Sequence, residues 1–261
     1  MRLLVVGADR VDAGKTTFAA GLIRSLDATG FKPRAGNDYW FDHDDYRTAI
    51  DAGRLYGKDA KRLVEAAAID EPPEAINPIH RLWRPAPDGD TFLGPGNRTF
   101  VLDRTGDEFV LNEHADVPES ALATLSLDDA ITVGTLDDLN RITRERYLPL
   151  LDELADRIRR TDPAVVESYG DVARPLRGLA VDRVAVVEPA RARIYDGDRF
   201  DNACAVTSGS PGEGTLEERV GEVTDLLDPL ATVALPPLTK PERNDPDAIA
   251  ERYAPAYEAL V

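Results

Sequence analysis

Cysteine occurs once in the 261 residues, as Cys204. That excludes a disulfide within the chain and a zinc site built from cysteines. Lysine is scarce too: Lys15, Lys32, Lys58, Lys61 and Lys240 are all there are, although Lys+Arg together number 31. Three histidines do not suggest a Ser-His-Asp set. No apolar run nears the ~20 residues that span a bilayer. Residues 1–7 reach Gly and Asp too soon for a secretory signal, so no membrane partner is expected. No internal repeat or low-complexity segment is present. The net charge of −17 disfavours nucleic acid as a partner, leaving at most a local basic patch.

Acid is what the chain has in quantity, with 48 Asp+Glu. Concentrated salt screens self-repulsion to within about 3 Å at 1 M, so such a surface costs little there. An acid-rich, lysine-poor chain points to a halophilic cytoplasmic protein; an acidic interaction module is the other reading. The hydrophobic fraction of 43% excludes a wholly disordered acidic chain. At this length one core can form without staples.

Arg2 to Val6 is a continuous apolar run, as in a parallel strand buried on both faces. A Gly/Asp-rich loop follows, then a helix from about Lys15 with Phe18, Ala19, Leu22, Ile23 and Leu26 on one stripe. Thr29-Gly30 ends it, and Ala35 to Tyr46 reads as a polar loop. Asp59 to Ala68 reads as helix, and Thr99 to Leu111 as a hairpin turning at Arg104-Thr105-Gly106. A helix is expected over 145–160. Strands are expected at Ala164–Glu167, Arg183–Val187, Ala203–Thr207 and Ala231–Leu235, with a helix marked by Leu216, Val220, Val223 and Leu227. The alternation predicts an α/β fold, a mostly parallel twisted sheet covered by helices. No composition break divides the chain. One domain spanning 1–261 is expected, with a β-hairpin insertion at about 88–125.

The strongest motif runs Gly7-Ala8-Asp9-Arg10-Val11-Asp12-Ala13-Gly14-Lys15-Thr16-Thr17. A buried strand precedes it and an amphipathic helix follows, the context of a P-loop. Gly14 permits a tight turn that aims backbone N–H groups at phosphate oxygens, and the helix N-terminus adds partial positive charge. Lys15 is placed to neutralise the β- and γ-phosphates, and the Thr16 hydroxyl to ligate Mg²⁺. The standard pattern has glycine where Asp9 stands. Asp12 is a candidate to orient water or a lysine, or to cap the loop. A loop that merely reads GKTT is the plainer alternative.

Ala8 to Thr16 resembles the lengthened loop of dethiobiotin synthetase, of the form G-T-D-T-x-V-G-K-T. That family follows its first helix with a Lys-Pro pair, here Lys32-Pro33. It has a helix opened by aspartate and leading to Asn-Pro, here Asp59 and Asn77-Pro78. It ends a buried strand on glutamate, here Val165-Val166-Glu167, after which Ser168-Tyr169 replace two glycines. The family belongs to the P-loop NTPases that include the septum-site and nitrogenase-iron-protein ATPases. The resemblance covers residues 1–87 and 161–188 and implies an ATP- and Mg²⁺-dependent enzyme. In that family a diamine's carbamate attacks the γ-phosphate, and the mixed anhydride closes to a cyclic urea. By this resemblance Lys15 and Lys32 stabilise the transferring phosphoryl group, while Thr16, Asp59 and Glu167 hold Mg²⁺. A homodimer is implied as well.

Asn37 to Tyr46 combines four aromatics, four aspartates and a histidine. Asp38, Trp40, Asp42, His43 and Asp44 are candidates for a substrate- or metal-binding loop; an acidic loop anchored by Trp40 and Phe41 is the alternative. Asn77 stands in the Asn-Pro pair. His80, Arg81 and Arg84 are candidates for gripping a substrate carboxylate or phosphate, against simple surface ion pairing. His114 reads as a surface residue. Arg174, near Asp171 and Arg177, lies beyond a strand's C-terminal end, where ligands bind in open α/β sheets.

Three functions follow. The first is a Mg-ATP-dependent enzyme that phosphorylates a small carboxylate or carbamate. The second is a small-molecule or polynucleotide 5′-hydroxyl kinase, whose D-x-G-K-[ST] loop Asp12 to Thr16 also resembles. The third is a nucleotide-switched ATPase that docks a protein partner.

Overall fold

The computed structural model describes residues 1–8, 14–86, 97–207 and 217–261. The chain opens with β1 (Arg2–Gly7), α1 (Lys15–Leu26), β2 (Thr29–Phe31) and β3 (Arg34–Asp38). Helices α2 (His43–Asp51), α3 (Lys58–Ala67) and α4 (Pro73–Ile76) follow, then β4 (Ile79–Pro85), β5 (Arg98–Thr105) and β6 (Glu108–Asn112). Next come α5 (Glu119–Thr124), β7 (Ile131–Val133), α6 (Leu136–Ile142) and, after a π-helical turn at Thr143–Tyr147, α7 (Leu148–Arg160). The remainder is β8 (Ala164–Glu167), β9 (Arg183–Glu188), β10 (Arg191–Asp196), α8 (Gly197–Thr207), α9 (Val220–Thr224), β11 (Ala231–Ala234), α10 (Lys240–Arg243), α11 (Pro246–Arg252) and α12 (Ala254–Leu260).

These elements form two compact units, each with its own mixed sheet. The first comprises Met1–Pro33, Arg62–Glu71 and Ala155–Val261. Its six-stranded sheet has the order β11-β10-β9-β1-β8-β2. Strands β2, β8, β1 and β9 run parallel, while β10 and β11 complete the edge antiparallel. β1 lies between two parallel neighbours, which explains its unbroken apolar run: Leu3, Val5 and Val6 are wholly buried. Each such side chain contributes about 1.5–3 kcal/mol by leaving water. Phe18, Ala19, Leu22 and Ile23 of α1 are buried as their spacing predicts.

The second unit comprises Arg34–Lys61 and Pro72–Leu154. Its sheet has the order β3-β4-β5-β6-β7, with β3 parallel to β4, β6 parallel to β7, and the inner pairs antiparallel. Tyr46 and Ile50 of α2, Leu55, Leu82, Val101, Leu102, Ala121 and Leu125 form its apolar core.

The α/β class is observed, but several elements differ from expectation. The hairpin expected as an insertion is the β5–β6 pair inside the five-stranded sheet, and Arg104 and Thr105 still belong to β5. The turn sits at Gly106-Asp107, with Gly106 supplying φ +59°. Ala35 to Tyr46 is not a loop: Arg34–Asp38 pairs with β4 through its main chain, and α2 begins at His43. The strand expected at Ala203–Thr207 is the end of α8, because Phe200, Ala203 and Cys204 bury one helical face. Val220 and Val223 do lie on a helix, though a short one; Leu216 falls outside the described residues. No helix among the described residues is long and apolar enough to cross a membrane.

Candidate functional site

In the first unit, parallel pairing brings three strand ends level. Phe31 of β2 pairs with Val166 of β8, and Val5 of β1 pairs with Glu167. Lys32 therefore leaves β2 beside Glu167, the last residue of β8. Past β1, Gly14 takes the left-handed φ of +83° and caps α1. A side chain is strained in that backbone region, so the glycine is required. Lys15 and Thr16 open the helix directly after it.

One carboxylate gathers this group. Glu167 Oε1 accepts from the Thr16 hydroxyl at 2.8 Å and from Lys32 Nζ at 2.5 Å. Lys32 Nζ also donates to the Ser168 carbonyl at 3.3 Å, and Lys15 Nζ donates to the Gly170 carbonyl at 2.8 Å. Glu167 is 0% exposed and Lys32 3%, so the Lys32–Glu167 pair is screened little by solvent. Removing either partner of such a pair costs about 3–5 kcal/mol. Ser168 is buried; its hydroxyl donates to the Val172 carbonyl at 2.6 Å and braces the loop after β8.

Gly14, Lys15, Thr16, Thr17, Lys32 and Glu167 thus share one unit. Thr17 Oγ1 accepts from Arg62 at 3.4 Å, an arginine whose sequence context gave no signal. Asp9, Arg10, Val11, Asp12 and Ala13 lie outside the described residues. Asp59 stands in the first turn of α3, in the second unit. Its assignment to the metal set rests on the sequence resemblance.

Arg174 is in the first unit, engaged by Glu218 at 2.6 Å and Asp201 at 3.2 Å. Burial works against its charge, but the Glu218 hydrogen bond and charge outweigh it and raise the pKa. Arg174 borders a cavity of about 20 Å³ beside Phe200 and Cys204, room for about one water.

The remaining candidates belong to the second unit. Asp38 Oδ1 accepts from the backbone N–H groups of Trp40 and Phe41 at 2.9 and 3.1 Å, and Arg98 lies 3.3 Å from Oδ2. Asp42 accepts from the Asp38 N–H at 2.9 Å and, with Asp45, faces Lys58. His43 Nδ1 lies 2.9 Å from the Tyr39 carbonyl. These carboxylates fold their own loop. Trp40 and Phe41 do not anchor it, being 68% exposed each and in edge contact at 4.9 Å. Among the described residues no group of three or more His, Cys, Asp or Glu side chains is placed to hold a metal.

Asn77 and His80 are fully buried. Asn77 donates to the Ile79 carbonyl at 2.9 Å. His80 lies on β4 against Gly57, where an added Cβ would come within 2.9 Å of its Cε1. Arg81 is half-buried: it grips Asp103 through Nε and Nη2 at 2.7 and 2.6 Å and covers the Phe100 ring at 4.5 Å. Burial opposes its charge, but Asp103 more than compensates and raises the Arg81 pKa. Tyr147 donates to the same carboxylate at 2.5 Å. Arg84 sits 3.6 Å from exposed Asp116, and His114 is on the surface as expected. Three buried residues carried no functional signal in the sequence: Asp103 and Tyr147, which Arg81 joins, and Arg104. Compared with family models and with curated proteins, the chain matches none.

Proposed function

We propose that the chain is a Mg-ATP-binding P-loop ATPase of the dethiobiotin synthetase kind, activating a small carboxylate or carbamate by phosphorylation. One observation carries this reading: Thr16 and Lys32 share Glu167 Oε1, and Lys15, opening α1, reaches the Gly170 carbonyl in the loop after β8. A strand, a left-handed glycine, a Lys-Thr pair opening a helix and a carboxylate ending the neighbouring parallel strand are what a nucleotide-metal site requires. The donor set fits the groups. The Thr16 hydroxyl and the Glu167 carboxylate are hard oxygens suited to Mg²⁺, and two ammonium groups suit a polyphosphate. When bound, Mg-ATP supplies the transferable phosphoryl group.

The chain's own residues position and neutralise. Lys15 would exchange its Gly170 carbonyl for phosphate oxygens. Lys32 would balance charge on the phosphoryl oxygens, and Asp12 would orient the nucleophile or a lysine. Phosphoryl transfer needs little more than positioning and positive charge. A small-molecule acceptor, a cytoplasmic location and a homodimer go with this reading. Isothermal titration with Mg-bound, non-hydrolysable ATP analogue tests it. The unmodified protein should bind, and Lys15→Ala should bind roughly 10- to 100-fold more weakly. Equal affinities would remove the P-loop from the account.

A further inference from the structure

The second unit holds a cavity of about 340 Å³, bordered by Arg54, Leu55, Glu74, Arg104, Asp107 and Phe109 among others. Its size falls at the lower end of small-molecule sites, roughly 300–1,000 Å³. Arg104, on β5, is only 5% exposed. Its Nε donates to the Leu55 carbonyl at 2.8 Å, Nη1 to those of Pro78 and Gly106 at 3.3 and 3.1 Å, and Nη2 to that of Asn77 at 2.5 Å. A guanidinium has five N–H donors. One Nη2 hydrogen is left without an acceptor among the described residues.

The carbonyls satisfy the N–H groups without cancelling the charge. No carboxylate lies within ion-pair distance of Arg104 among the described residues. Burial pulls its pKa down to about 10, partly offset by the more distant Glu74 and Asp107. It stays a buried cation at neutral pH. The same cavity wall displays how a guanidinium holds a carboxylate: Arg54 grips Glu74 through Nε at 2.8 Å and through Nη2. Leu55 and Phe109 supply an apolar wall.

We propose that this cavity binds a small organic carboxylate, its charged end on Arg104 and its carbon skeleton against Leu55 and Phe109. The proposal does not rest on the nucleotide reading, since it uses none of Lys15, Thr16, Lys32 and Glu167. Asp107, on the exposed hairpin turn, opposes the ligand's charge without touching Arg104's four bonds.

Titration with succinate, at the lowest KCl that keeps the protein folded, tests the proposal. Saturable binding at or below about 10 mM is expected. Arg104→Gln should weaken it about tenfold or more. Because that variant loosens a cage of carbonyls, Asp107→Asn is measured beside it and should tighten binding about two- to threefold. Lys15→Ala should leave succinate binding unchanged, which separates this site from the nucleotide site. Absence of saturable binding overturns the proposal, as does an affinity that neither cavity variant alters. Inorganic phosphate binding there as tightly as succinate overturns the carboxylate assignment.

Discussion

Glu167 serves two chemistries with one oxygen, holding the Lys32 cation and accepting from Thr16, with no exposure to water. Its removal should therefore show in stability before any ligand is added. Glu167→Gln leaves Lys32 buried beside a neutral amide, and unfolding in denaturant should report a loss of about 3–5 kcal/mol. A loss below about 1 kcal/mol would mean that the ammonium finds water or another partner. Cys204, 1% exposed, gives a second residue-level expectation. Burial pushes its thiol from 9.0 up to about 12. The folded protein thus favours the protonated form. That stability is intact below pH 9 and drains away as pH rises toward 12. Native Cys204 should resist alkylation at pH 8.5, and Cys204→Ser should flatten the alkaline fall in melting temperature. Rapid modification of the native protein at that pH would contradict the burial argument.

Helix α1 packs against the C-terminal helices at one small residue. A Cβ added to Gly21 would lie 2.4 Å from the Tyr257 hydroxyl and 2.5 Å from Ile249 Cγ2. Tyr257 also donates to the Phe18 carbonyl at 3.0 Å, fixing the close approach. Gly21→Ala should cost about 1–3 kcal/mol by overpacking, although alanine is the better helix former; a rise in melting temperature would refute this contact. Legibility varied at the same scale. β1 and β8 were readable as unbroken apolar runs buried throughout, and α1 by its helical spacing. Ala203 to Thr207 misled because its small apolar residues read as a strand, while the deciding residue, Phe200, lies one helical turn earlier. β3 was invisible for the opposite reason: Arg34-Ala35-Gly36-Asn37-Asp38 has no β-branched residue, and its pairing with β4 is main-chain. At the site, Lys15, Thr16, Lys32 and Glu167 were legible through motif order. Arg104 was not, because a buried arginine caged by carbonyls looks in sequence like any turn-flanking arginine.

At the scale of the whole molecule, charge and division into units dominate. The two sheets were not separable from sequence because the chain passes between units four times, at Pro33-Arg34, Lys61-Arg62, Glu71-Pro72 and Leu154-Ala155, with no linker-like segment at any of them. A net charge of −17 repels itself over about 10 Å at 0.1 M salt but only about 3 Å at 1 M. Melting temperature should therefore climb as KCl rises through that range; a flat or falling curve would remove the halophilic reading. The central claim concerns chemistry at the strand ends of the first unit. Its most direct test is γ-phosphate release from Mg-ATP at high KCl, with and without diaminopelargonate plus bicarbonate, for the unmodified protein and Lys15→Ala. The account predicts turnover that depends on Lys15 and accelerates with a carboxylate or carbamate acceptor. Release that is absent, or identical in the two proteins, would contradict it.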